Sequence, residues 1–285
     1  MQSVRNLLFA LSLGVVLGLA GFAVPIGSAQ AQGKLDATYT ASLAGIPLGR
    51  GAWVIDVGED QYSAVASGVT TGLLNVFASG QGTGFARGNV SNGTLVPSTY
   101  GAQIKAAKWS EELRMNVVGG VIKDLSIEPT PQPQPDRIPV TEAHRKGVTD
   151  PMTGSLVRVP GTGELVSPEA CTRTTSVFDG RLRYDLRLTF KRIETVKAEK
   201  GYVGPAAVCA LYFTPIAGYI PNRPAIKHLI EQRDMETYLV PIAGTRILVP
   251  FRVTIPTPLG TAALQASQFL TTAQPRLTPA NMKSQ

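Results

Sequence analysis

Histidine and cysteine are almost missing. The 285-residue chain holds 2 of each: His144 and His228, Cys171 and Cys209. His144 stands beside Arg145 and Lys146, and His228 beside Lys227. In such stretches an imidazole is more often a surface or packing group than a general base. No Gly-x-Ser-x-Gly elbow, His-Glu-x-x-His pair or Ser-x-x-Lys motif occurs. The cysteines lie 38 positions apart, which is not the spacing of a metal or redox pair. The chain is therefore read as a non-enzyme, with no catalytic residue, no cofactor and no metal site. Charge is also sparse, at 16% of residues, with a net charge of +7. So modest an excess reads as solubility, with peripheral contact at an anionic membrane surface as the alternative and no nucleic-acid partner.

Long apolar runs are absent except at the start. Arg5 is followed by the run from Leu7 to Val24, and then by Ala29-Gln30-Ala31. A basic residue, an apolar stretch and a small-x-small site have the form of a secretory signal peptide cut before Gln32. Residues 1–31 are thus read as the signal peptide, and the protein as periplasmic. In that oxidising compartment two cysteines predict one disulfide, Cys171 to Cys209.

What the chain has in plenty is alternation. In Trp109-Ser110-Glu111-Glu112-Leu113-Arg114-Met115-Asn116-Val117 the odd positions are mostly apolar, as in a strand with one buried face. Gly119-Gly120 turns it into a partner beginning at Val121. Further strands are expected over residues 35–44, 51–57, 61–69, 76–86 and 95–108, and in the C-terminal block over 234–240, 245–255 and 261–269. Short turns between them favour antiparallel pairing. The helical candidates are 141–158, with a short turn over 141–146 and a short helix begun by Asp150-Pro151-Met152, and 224–232. The alternate prolines from Pro129 to Pro135 forbid a helix or central strand, so 129–139 is read as an extended strap. The division expected is one β-rich domain over 32–274 and a flexible tail over 275–285.

Two stretches invite a functional reading. Gly80-Gln81-Gly82-Thr83-Gly84 has the glycines of a phosphate loop but neither the spacing nor the following helix, so it predicts a bent or closely packed strand. In residues 178–190, Asp179-Gly180 signals a two-residue hairpin. Beyond it Leu182, Tyr184, Leu186, Leu188 and Phe190 alternate with Arg181, Arg183, Asp185, Arg187 and Thr189. Arg181, Arg183 and Arg187 are the candidate anion-contacting face. Because Asp185 interrupts them, the reading adopted is a solvated strand face.

The opening Leu35-Asp36-Ala37-Thr38-Tyr39 with Gly45-Ile46-Pro47-Leu48-Gly49 resembles the start of exported bacterial proteins grouped as domain of unknown function 3108. The hairpin from Val177 to Leu186, Ala217-Gly218-Tyr219 and the stretch from Ile247 to Leu264 are similar to it as well. The resemblance spans about residues 35–270. It implies a mainly β fold of α+β type: a curved antiparallel sheet, or open half-barrel, wrapped around one or two short helices, as in lipoprotein-localisation carriers. It brings no established activity. The functional expectation is a non-enzymatic periplasmic binding or carrier protein whose apolar cleft takes a lipid-like ligand or a lipoprotein. The alternative is a structural or assembly factor of the cell envelope with a filled core.

Overall fold

The computed structural model describes residues 32–71 and 80–274. The segment read as a signal peptide, the expected tail and the first part of the strand expected over 76–86 lie outside the described residues.

Seven strands follow one another as an antiparallel meander. They are β1 (Gly33–Leu43), β2 (Ile46–Val57), β3 (Gln61–Thr70), β4 (Gly80–Ser91), β5 (Thr94–Ala106), β6 (Trp109–Val118) and β7 (Val121–Glu128). Alternation forces this arrangement, since each strand has one apolar face and each partner is the nearest strand in sequence. Then come the proline strap, a short 3-10 turn (Glu142–Arg145), helix α1 (Pro151–Gly154), the two-residue β8 (Val157–Arg158) and a second 3-10 turn (Pro168–Cys171). The second half continues with β9 (Thr174–Phe178), β10 (Arg183–Lys197), β11 (Lys200–Gly201), β12 (Val203–Ala217), helix α2 (Pro224–Glu231), β13 (Glu236–Pro241), β14 (Ile247–Thr257) and β15 (Gly260–Ala273).

All of these strands belong to one sheet, ordered β7-β6-β5-β4-β3-β2-β1-β15-β14-β13-β12-β10-β9, with β11 and β8 appended to β15 and β14. The first and last strands in sequence, β1 and β15, pair at its centre, with Gly33 opposite Ala273. The sheet curls until its outer strands approach, but they do not pair. The segment from Lys146 to Thr149 lies between them. Lys146 bridges Val121 of β7, and Thr149 bridges Val177 of β9. Val148, Phe178, Leu113, Met115, Val117 and Ile122 form a separate core along this seam. Gly180 permits the approach: a Cβ there would lie 2.1 Å from Leu113 Cδ1. Arg181 crosses the same gap to pair with Glu111.

The strap spans one side of the barrel. Ile138 N donates to Tyr219 O at 2.9 Å, and Gly218 N to Ile138 O at 2.8 Å, which joins the chain after β7 to the end of β12. Within 141–158 lie the expected short turn and the short helix capped by Asp150 with Pro151 at its first position, separated by Gly147 at φ +64°. The two-residue hairpin at Asp179-Gly180 is corrected. The connection runs from Asp179 to Leu182, and Asp179 Oδ1 accepts from the backbone N–H groups of Arg181 and Leu182. The side chain thus closes a wider loop than the dipeptide signals.

Candidate functional site

The barrel is filled at one end and hollow at the other. The filled end holds the main core, with Leu35, Ile55, Val57, Val240, Phe251 and Phe269 all but inaccessible. Helix α1 is enclosed with it. Met152 packs on this core, Asp150 caps the helix by accepting from Thr153 N at 2.9 Å, and the Thr153 hydroxyl meets Tyr62 OH at 2.7 Å. Ser155, just past the helix, marks the inner end of the hollow.

The hollow is a cavity of about 1110 Å³ that opens toward the β1–β2, β5–β6 and β14–β15 turns. That exceeds the roughly 300–1,000 Å³ of most small-molecule sites. Its origin is visible in the register. On the inner face, Gly51 stands opposite Gly68, Trp53 opposite Ala66, and Gly49 opposite Thr70. Gly68 faces Gly82, and Ala66 faces Gly84. Three adjacent strands therefore present glycine or alanine where the filled end presents leucine, isoleucine and tyrosine. At Gly68 and Gly82 neither backbone strain nor crowding demands glycine. An added Cβ would come no nearer than 3.7 Å and 3.5 Å to its neighbours, and φ is not in the left-handed region at either residue. Side chains omitted there leave volume, and close packing would otherwise have filled it.

The walls are apolar. Leu264, Val253, Ile104 and Trp109 line the cavity, and no carboxylate lies among the described lining residues. The cation Lys108 stands at its mouth, whereas Arg50, between the inward Gly49 and Gly51, points to the outer face. At the inner limit Tyr39 donates its hydroxyl to Pro250 O at 2.9 Å, and burial pushes its ionisation above the ordinary phenol range. Trp53 lines the cavity as well, and its buried indole Nε1 has no hydrogen-bond partner among the described residues.

The glycine pattern at residues 80–84 is thus explained without phosphate chemistry. Gly80 and Gly82 belong to the cavity wall, and Gly84 admits Met152 Sδ, 3.5 Å from where a Cβ would stand. The signal for the cavity was present as small residues at period two, 49-51, 66-68 and 80-82-84. Each pair read alone suggests only a weak strand. The vacancy arises when the register aligns them.

The candidate anion face is not assembled. Arg181 lies in the turn before β10 and pairs with Glu111. Arg183 is bound to Asp185 Oδ1 at 2.7 Å and Ser176 Oγ at 2.9 Å, with its side chain only 13% exposed. Arg187 lies over the Tyr212 ring, 4.1 Å from its centroid. Each charge has a partner, Glu111 across the seam for Arg181, Asp185 on the same strand for Arg183 and the cross-strand Tyr212 ring for Arg187, so the expected open solvent face is corrected for Arg183. Farther along β10, Arg192 and Lys191 converge on Glu236, and hydrogen bonds led by Arg192 hold that carboxyl down to about 2. Cys171 and Cys209 are joined by a disulfide, with Cα atoms 5.5 Å apart. It fastens the second 3-10 turn to β12, within a satellite core that includes Val157, Val159 and Leu248. Among the described residues no group of three His, Cys, Asp or Glu is placed to hold a metal.

The family model for DUF3108, described as a protein of unknown function, matches residues 38–267. The chain belongs to this family. For the DUF3108 fold the match runs from within β1 to within β15, so the whole sheet is the family's unit. No curated protein matches the chain. A solved structure similar in outline is a beta-barrel-like protein of domain of unknown function DUF1849 from Brucella abortus. It is 8% identical, covers 85% of this chain and 98% of its own, and has a TM-score of 0.42.

Proposed function

We propose that this DUF3108 protein is an exported, non-enzymatic binding or carrier protein whose cavity takes an apolar, chain-like ligand such as a lipid acyl group, free or carried by a lipoprotein. The observation that carries the reading is the glycine and alanine floor at positions 49, 51, 66, 68 and 82, which holds a large apolar volume open beside a tightly filled core. Burying hydrocarbon there would gain roughly 25 cal/mol for each Å² of apolar surface removed from water. Lys108, in the β5–β6 turn at the mouth, suits an acidic head at the end of such a chain. The disulfide fits an oxidising compartment, and with the N-terminal sequence it supports the periplasm.

Native mass spectrometry of protein purified from the periplasm tests the proposal. A lipid-sized adduct is expected on the wild type. It should be lost from Gly68→Leu and Gly82→Leu, whose side chains would occupy the cavity. A wild type that carries no adduct and takes up no added palmitate would overturn the reading.

A further inference from the structure

We propose that the open rim of the barrel is a docking surface for an anionic lipid bilayer, which sets the cavity mouth against the membrane. The inference rests on the cavity reading for its purpose, but its evidence is separate.

The first observation is where the exposed apolar side chains stand. Leu259, at the tip of the β14–β15 turn, is the most exposed large apolar residue among those described, at 77%. Ile46, at the β1–β2 turn, is 59% exposed. These two turns lean on one another: Ala44 N donates to Thr261 O at 2.9 Å, and a Cβ on Gly260 would lie 2.7 Å from the Ala44 Cβ. They form one lip. Trp109, 53% exposed, follows the β5–β6 turn and also lines the cavity. Single exposed apolar residues are ordinary. Three on the turns that surround one apolar opening are a patch with a location.

The second observation is charge. The segments 42–50, 104–110 and 252–264, which build this rim, contain Arg50, Lys105, Lys108 and Arg252 and no aspartate or glutamate. Helix α2 is fastened to the same arm, where His228 Nε2 donates to Pro256 O at 2.7 Å. It adds Lys227 and Glu231. The opposite end of the barrel also exposes apolar residues, Val118 and Val203. The turns there carry Glu59 and Asp60, while Lys197 and Lys200 stand around Val203 and Glu199 lies beside Arg50 and Lys105 on the outer wall. Basic groups around apolar tips match an anionic membrane: the cations are drawn to the headgroups while leucine, isoleucine and tryptophan enter the interfacial layer. Neither Val118 nor Val203 lines the cavity, so the exposed apolar residues of the opposite end do not frame its mouth. A chain-like ligand could then pass between bilayer and cavity without crossing water.

The test is flotation of the chain from Gln32 onward, which holds every described element, with vesicles of equal parts phosphatidylcholine and phosphatidylglycerol. Binding is expected to these vesicles, to weaken with salt, and to be slight with phosphatidylcholine alone. Ile46→Asp with Leu259→Asp should lower it by about tenfold or more, since two apolar anchors are lost. Thermal melting should be unchanged, because both tips are exposed. Val118→Asp with Val203→Asp should leave binding intact. Absence of vesicle binding, or equal loss from both pairs, would overturn the proposal. Gly68→Leu separates the two ideas: if it abolishes the lipid adduct while vesicle binding persists, both stand. If the wild type carries an adduct but does not float, docking alone fails. Flotation of a wild type that never carries an adduct removes the cavity reading alone.

Discussion

The hydroxyls of Tyr62 and Thr153 meet at 2.7 Å inside the barrel, 91 residues apart in sequence. One belongs to the wall and the other to the enclosed helix, so this contact sets how far α1 fills the barrel. Tyr62→Phe removes one partner and leaves a buried hydroxyl behind. We expect it to cost about 1–2 kcal/mol in urea unfolding.

Asp150 caps the same helix and is wholly buried. Burial outweighs its hydrogen bonds and raises the carboxyl above its ordinary 3.8. The folded chain therefore keeps this proton longer than the unfolded chain does. Stability should fall as pH rises past about 4, until the folded group ionises as well. Asp150→Asn keeps an acceptor for Thr153 N but cannot ionise, so a series of urea melts across that range should show a flatter slope. Asp179, also raised by burial, retains the remainder.

The disulfide closes a loop of 38 residues. Constraint of the unfolded chain by such a loop is worth about 3–4 kcal/mol. Paired Cys171→Ala and Cys209→Ala should lower the urea midpoint accordingly. Thiol labelling of the denatured, unreduced wild type should find none.

Arg183 and Arg187 sit on one strand yet differ in surroundings. Arg183→Ala breaks bonds to Asp185 and Ser176 at a site 13% exposed, and we expect a loss of about 1–2 kcal/mol. Arg187→Ala, at an exposed position over Tyr212, should change stability by no more than about 0.5–1 kcal/mol. Equal effects in thermal unfolding would contradict the distinction.

The export reading places a new N-terminus at Gln32, because Ala29 and Ala31 suit the small-residue requirement of the cut. N-terminal sequencing of periplasmic protein should recover Gln32. Intact Met1 in the membrane fraction would show an uncleaved anchor instead.

Much of the fold was legible because alternation and turn residues act locally. Gly119-Gly120 and the pattern from Trp109 to Val117 place β6 within a residue and fix where β7 begins. The long β10–β12 hairpin was only partly visible. Pro205 and Pro215 interrupt its second arm, and its ends extend beyond the clean alternation of residues 182–190. The cavity was hidden for a different reason. Gly68 and Gly82 are opposite each other only once β3 and β4 are in register, and a volume enclosed by several strands has no signature in any one of them. The fate of the arginines was hidden likewise, since Glu111 lies 70 positions from Arg181.

The pairing of β1 with β15 orders events in time. Strands β1 to β7 can zip by short turns as they emerge, but β1 keeps one bare edge until the last strand arrives. Contacts across such a separation are the slow ones in folding, and a waiting edge is a template for wrong partners. A chain delivered N-terminus first would therefore spend its assembly as an unfinished meander. The final hairpin, β14 with β15, completes the sheet and brings Leu259 to the lip beside Ala44. In this chain the surface proposed to meet the membrane is among the last parts to exist.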